Sequence, residues 1–158
     1  MRRTVAVLAL GAAVAGCGSA NVVSPVDVAQ KYAYAIGTGN DASACTLLDP
    51  QARDAMVAST GAHATCAGLM GRCLPARSTV TSADKLQLLY VNVDLRTRGS
   101  HAVAVLSGLP VARAIGRVTM VQHRGRWRLT TPGRGISRCV RRLRRGRRAP
   151  HRPTSIHG

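Results

Sequence analysis

Phenylalanine is absent from this 158-residue chain, and its aromatic residues amount to three tyrosines and one tryptophan. A core formed by such a sequence has to be filled mainly by aliphatic side chains. The supply is sufficient, because 46% of the residues are hydrophobic and only 18% are charged. This balance excludes disorder over most of the chain, and the length fits one domain.

Glutamate is also absent: all six acidic residues are aspartates, and none lies after Asp94. Residues 1–95 carry seven basic side chains against these six acids, whereas residues 96–158 carry sixteen arginines and no acid. The net charge of +17 therefore belongs almost entirely to the C-terminal part. This asymmetry predicts that the C-terminal part is attracted to polyanions.

The N-terminal apolar run is too short to cross a bilayer, because its eleven residues, Thr4 to Val14, compare with the ~20 of a spanning helix. It follows Arg2 and Arg3 and precedes small residues. This order is typical of a secretory signal peptide, here residues 1–16, which is removed on export.

The residues that close this segment, Val14-Ala15-Gly16-Cys17, resemble a bacterial lipobox. The resemblance implies that Cys17 receives a diacylglyceryl group and begins the mature chain, with residues 17–24 as a short tether. The expected location is the extracytoplasmic face of the cell membrane, with the protein anchored to the membrane through the lipid on Cys17. The alternative is an ordinary secretory signal in which Cys17 has no role.

Four cysteines remain besides Cys17: Cys45, Cys66, Cys73 and Cys139. An even number in an oxidising compartment indicates two disulfides, with three possible pairings. Cys45 and Cys66 fall on two predicted helices of one helical hairpin, which favours a bridge between them and leaves Cys73 with Cys139. A zinc site that adds His63 and His123 to Cys66 and Cys73 has unsuitable spacing, so no metal and no cofactor are expected.

Helical patterns occupy the first half of the chain. Ser24, Pro25 and Asp27 are typical of a helix start, and apolar residues follow at helical spacing until Gly37. Asp41 is expected to cap a short second helix that runs through Cys45 to Leu48, and Asp49-Pro50 is expected to start a third. The predicted helices comprise residues 25–37, 41–48, 50 to at least 57, and 62–70.

The second half of the chain favours strands. Apolar and polar residues alternate from Lys85 onward, Thr97 to Ser100 predicts a turn, and Arg124-Gly125 predicts a tight hairpin with Trp127 and Leu129 on one side. The predicted strands are residues 85–95, 101–106, 112–123 and 126–130. Helices followed by an antiparallel meander predict the α+β class.

The stretches Val28–Tyr32, Gly39–Asp41 and Ala44–Arg53 resemble the helical start of secreted NTF2-like domains found in actinobacterial lipoproteins. Val118–Leu129 resembles their last hairpin, in which a tryptophan closes the sheet. The resemblance implies an NTF2-like cone, with N-terminal helices packed on a curved antiparallel sheet, as a domain over residues 25–135. The family includes enzymes, scaffolds and binding modules, so the fold selects no function.

Acid–base chemistry is one hypothesis, because family members that resemble ketosteroid isomerase or polyketide cyclases use an acid or a histidine inside the cone. The catalytic candidates in this chain are weak: Tyr90 and Asp94 share a strand face, and His101 follows the predicted turn. The alternative, which we favour, is that Asp94 and His101 are solvated residues beside that turn. Tyr32, Tyr34 and Trp127 could line a pocket, although such aromatics are more often core residues.

The C-terminal segment carries the highest density of charge, with seven arginines among the eleven residues 138–148. These arginines are Arg138, Arg141, Arg142, Arg144, Arg145, Arg147 and Arg148. Their mutual repulsion predicts a solvated tail, disordered over residues 136–158, unless an anionic partner holds it. The expected partner is an anionic lipid or wall polymer, because the N–H donors of guanidinium groups fit the geometry of phosphate oxygens. Nucleic acid is a less favoured partner. The alternative is a basic tail without function.

These observations favour a membrane-anchored exported lipoprotein that acts as a non-catalytic binding module at the cell envelope. The two alternatives are a small NTF2-like enzyme and a polyanion binder that acts through its arginine-rich tail.

Overall fold

The computed structural model describes residues 23–61, 64–74, 81, 83, 87 and 90–148, with the side chains of the last two left out. The structure combines helices with a four-stranded antiparallel sheet, which confirms the α+β class. In chain order the elements are α1 (Pro25–Gly37), α2 (Asp41–Leu47), α3 (Pro50–Ala58), α4 (Cys66–Cys73), β1 (Asn92–Arg98), β2 (His101–Ser107), α5 (Pro110–Ile115), β3 (Arg117–His123), β4 (Arg126–Leu129) and α6 (Arg134–Arg148).

Side-chain caps fix the starts of the first helices. At α1, the backbone N–H of Asp27 donates to Ser24 Oγ at 3.1 Å and the N–H of Ser24 donates back to Asp27 Oδ2 at 3.1 Å. This capping box, together with Pro25 in the first turn, confirms the predicted helix over residues 25–37. The cap of α2 is Asn40 rather than Asp41, and Asp49 caps α3.

The fourth helix differs from its prediction, which ran from residue 62 to residue 70. Thr65 Oγ1 accepts the N–H of Gly68 at 3.1 Å, so the helix begins after Thr65 and continues to Cys73. Residues 62 and 63 lie outside the described part of the chain. The cap therefore moves the helix toward the C-terminus by about one turn.

The sheet is a meander in the order β1-β2-β3-β4, and all neighbouring strands are antiparallel. The hairpin between β3 and β4 turns at Arg124 and Gly125, whose φ angles of 49° and 75° are those of a tight two-residue turn. Trp127 and Leu129 lie on the same side of β4, as predicted. Both are buried, and α1 contacts this strand. The other inward-facing residues of β2 and β3 are Ala102, Ala104, Leu106, Val118 and Met120.

Two strand predictions need correction. The strand expected from Lys85 is seen only from Asn92, and most of residues 84–89 lie outside the described part. The strand expected from Ala112 is wrong for its first residues, because Pro110 begins α5 and places Val111, Ala112 and Ile115 in the core at helical spacing. Gly116, at a φ of 69°, ends this helix before β3 starts.

The disorder predicted for residues 136–158 is wrong for residues 136–148, which belong to α6. Ile136 and Val140 are buried in the core, and their burial outweighs the repulsion between neighbouring arginines. The domain therefore extends past residue 135. Residues 149–158 lie outside the described part.

Two disulfides join Cys45 to Cys66 and Cys73 to Cys139, which is the pairing that the helical hairpin favours. The Cα atoms are 6.1 Å apart in the first pair and 5.5 Å apart in the second. The predicted signal peptide, Cys17 and the tether up to residue 22 lie outside the described part. Within the described residues, every helix is too short or too polar to cross a membrane.

Candidate polyanion-binding surface

Helix α6 has an apolar face and an arginine face. Ile136 and Val140 are buried, and Cys139 and Leu143 are half-buried, so one side of the helix packs on the domain. The spacing of these four residues is that of a helix with a single buried stripe. The arginines of α6 are therefore directed away from the core.

The opposite face carries a row of arginines, which we call the arginine stripe: Arg134, Arg138, Arg141 and Arg145. All four are exposed, and they recur at positions i, i+4, i+7 and i+11, so they follow one side of the helix for about 16 Å at ~1.5 Å per residue. Arg142 and Arg144 flank the stripe and are also exposed. Arg147 and Arg148 continue the helix, but their side chains are outside the description.

The helix is held in place covalently and by close backbone contact. The Cys73–Cys139 disulfide joins its middle to the last residue of α4. Near its start, Gly135 lies against the backbone carbonyl of Ala114 so closely that a Cβ atom would overlap it. The arginine stripe is therefore fixed relative to the domain, unlike the solvated tail that the sequence predicts.

Between described side chains, no aspartate forms a salt bridge with an arginine of α6. Asp27 accepts the N–H of Ser24 in the capping box of α1, Asp49 caps α3, and Asp41 lies in the first turn of α2. The salt bridge that the described part contains joins Arg53 to Asp54, far along the chain from α6. An anion near the arginine stripe would meet unneutralised guanidinium groups, each with several N–H donors.

The three candidate catalytic residues do not form a cluster. Asp94 lies opposite Val105 in the register of β1 and β2, and His101 lies opposite Arg98, which separates Asp94 from His101 by about 13 Å along the sheet. Asp94 and His101 are exposed, and 81% of Tyr90 is exposed just before β1. Proton transfer requires groups within hydrogen-bond reach, which this arrangement lacks.

The aromatic residues divide between core and surface. Tyr32 is fully buried and its hydroxyl donates to the carbonyl oxygen of Pro132 at 2.8 Å, and Trp127 is also buried. Burial raises the pKa of the Tyr32 phenol well above its usual value, and the charge of Asp41 adds to the effect. Tyr34 is partly exposed beside α2. Tyr32 and Trp127 therefore serve the core.

Sequence reasoning missed one basic residue that belongs with α6. Arg72 is exposed in the last turn of α4 and lines the same grooves as Arg142. The signal lay in the favoured disulfide, because the pairing of Cys73 with Cys139 also brings the neighbours of the two cysteines together.

Cys66 and Cys73, the two cysteines of the zinc alternative, are both in disulfides. In the described ranges, no group of three or more histidine, cysteine, aspartate or glutamate side chains is placed to hold a metal ion. Comparison of the chain with protein-family models, with curated proteins and with solved structures finds no match in any of the three.

Proposed function

We propose that this protein is an exported lipoprotein, anchored through Cys17, whose domain is a non-catalytic module that binds anionic headgroups at the cell envelope. The observation that carries the proposal is the arginine stripe on a helix that a disulfide fixes to the domain. Guanidinium groups bind phosphate with a matching fork geometry, and they keep their charge at any physiological pH.

Two further features support this assignment. Both disulfides suit an oxidising compartment outside the cytoplasm. A lipid anchor would also keep the domain close to a membrane surface, so that weak contacts to headgroups act at a high effective concentration. For the fold, we propose the NTF2-like cone; the order of helices before the meander and the cover of α1 over the sheet support it.

The test of binding uses the full chain inserted into neutral phosphatidylcholine nanodiscs. These are mixed with sedimentable vesicles of phosphatidylcholine, with or without phosphatidylglycerol. We expect co-sedimentation only with the anionic vesicles, and a loss of binding as salt is raised. Arg141→Gln/Arg145→Gln is expected to weaken binding roughly thirtyfold, at about 1 kcal/mol for each arginine near an anionic surface.

The matched control is Arg96→Gln/Arg98→Gln, which removes the same charge from exposed positions of β1. It is expected to bind like the unchanged chain. Equal losses in the two variants would show attraction by net charge alone and would contradict a role for α6. Binding to a soluble anionic wall polymer but not to anionic vesicles would assign the same stripe to the wall instead.

The anchor is tested by the intact mass of the protein extracted from the membranes of cells that make it. A mass that begins at Cys17 and includes diacylglycerol is expected, with a gain of about four hydrogen atoms on reduction of two disulfides. A chain that keeps residues 1–16 or has free thiols would contradict export.

A further inference from the structure

A groove of about 600 Å³ lies between α4 and α6. Its volume is within the range of ~300–1,000 Å³ that is usual for small-molecule sites. Leu69 is buried in it, and Ala64 and Leu143 are half-buried along it, so part of its lining is aliphatic. Arg72 and Arg142 are exposed at the same groove, one on each helix.

The two arginines are held on neighbouring helices without a neutralising partner. The Cys73–Cys139 disulfide joins these helices directly beside Arg72. Across the described residues, the ion pair that forms is Arg53 with Asp54, and neither Arg72 nor Arg142 takes part in it. Like charges that line one groove repel each other, and a bound anion would reduce this repulsion.

The chemistry of the groove selects a ligand with two unlike ends. A phosphate group fits between two guanidinium groups, which can each donate two parallel N–H bonds. The aliphatic lining gives no such donors, but it would remove an acyl chain from water. A sugar phosphate or inorganic phosphate would leave the aliphatic part of the groove unused.

We propose that this groove binds a single-chain anionic amphiphile, with its phosphate between Arg72 and Arg142 and its acyl chain along Ala64, Leu69 and Leu143. The site differs from the arginine stripe, because it takes one lipid molecule into a groove instead of contacting a surface of headgroups.

The test uses the full chain in phosphatidylcholine nanodiscs and the soluble probe hexanoyl lysophosphatidate, followed by ³¹P NMR against empty nanodiscs. Saturable binding of one probe per chain is expected. Glycerol 3-phosphate, which has the same phosphate without the acyl chain, is expected to bind at least tenfold more weakly. Arg72→Gln/Arg142→Gln is expected to lower the affinity by roughly ten- to hundredfold, since hydrogen bonds to charged groups are lost.

A second variant blocks the groove without removing charge. Gly146 lines the groove, and a Cβ atom at this position has no heavy atom within 4 Å. Gly146→Leu therefore fills the groove from a helical position that tolerates leucine, and saturable binding is expected to disappear while the circular dichroism spectrum is kept.

The matched control is Arg141→Gln/Arg145→Gln, which is expected to bind the probe normally although its vesicle binding is weakened roughly thirtyfold. The failure of the groove and the failure of the proposed function are thereby separated. Equal affinity for glycerol 3-phosphate would replace the amphiphile by a free phosphate and overturn the proposal. Unsaturable binding, or equal losses in the groove and stripe variants, would overturn it as well.

Discussion

Tyr32 places a hydroxyl group inside a mainly apolar core. None of the residue is exposed, and the hydroxyl donates to the Pro132 carbonyl oxygen, with Met70 Sδ 3.7 Å away. This single bond links α1 to the segment that leads into α6. This hydrogen bond therefore helps to position the arginine stripe, although Tyr32 is far from α6 in the sequence.

Replacement of Tyr32 by Phe is expected to lower the free energy of unfolding by about 1 kcal/mol at neutral pH, because the hydrogen bond is lost. Above the usual tyrosine pKa of ~10, residue 32 ionises in the unfolded chain but stays protonated in the folded one. The unchanged protein then loses about 1.4 kcal/mol of stability per pH unit from this group. Urea unfolding should show the two proteins equally stable near pH ~11, where the lost stability roughly equals the hydrogen bond.

The control for this prediction is Tyr34→Phe, on the partly exposed side of the same helix. It is expected to change stability by less than about 0.5 kcal/mol. The burial argument would be contradicted if Tyr32→Phe and the unchanged chain differed in free energy of unfolding by the same amount at neutral pH and near pH ~11.

The role of Tyr32 could not be decided from the sequence. Helical spacing places Tyr32 on the same face as Val28 and Ile36, and the structure buries all three. Spacing does not say which element covers that face, because the partner carbonyl belongs to a residue 100 positions later. The pattern therefore favoured a core position for Tyr32 but did not exclude a pocket.

At the scale of elements, local signals predicted α1 and the β3–β4 hairpin well. Both depend on neighbours in sequence, namely the Ser24–Asp27 capping box and the Arg124-Gly125 turn. Helix α6 was missed because its charge was weighed above the helical spacing of Ile136, Val140 and Leu143. That apolar spacing is present in the sequence. It stabilises the helix only when the rest of the domain provides an apolar surface on which these residues are buried.

Two glycines of α6 should respond in opposite ways to alanine. Gly135→Ala is expected to lower the free energy of unfolding by about 1–3 kcal/mol, because the new Cβ would overlap the backbone of Ala114. Gly146→Ala meets open space in the helix and is expected to raise it by about 0.5–1 kcal/mol. Thermal unfolding of both variants measures the difference. Similar effects of the two changes would show that α6 is not docked at its start.

For the whole molecule, the two disulfides lower the conformational entropy of the unfolded chain and thereby stabilise the fold. The Cys73–Cys139 bridge closes a loop with a sequence separation of 66, and the Cys45–Cys66 bridge one of 21. Residues so distant cannot be paired by local pattern alone. The predicted helical hairpin favoured the Cys45–Cys66 bridge. The second bridge followed because Cys73 and Cys139 were the two cysteines that remained.

Removal of the Cys73–Cys139 bridge by two serines is expected to cost about 4 kcal/mol, against about 3 kcal/mol for Cys45–Cys66, because the longer loop loses more entropy when closed. Within either pair, the double variant should be no less stable than each single variant. Urea unfolding followed by Trp127 fluorescence checks both statements. Additive losses within a pair would show that its members are not bonded.

The ring closed by Cys73 and Cys139 contains all four strands of the sheet. A pulling force applied between the start of α1 and helix α6 would pass through this covalent bond and leave the strands without tension. The bridge withholds roughly 220 Å of chain from extension, at ~3.4 Å for each of the 66 residues it spans. A domain tethered at one end and held by α6 at the other would therefore bear mechanical load through its helices, while its sheet stays folded.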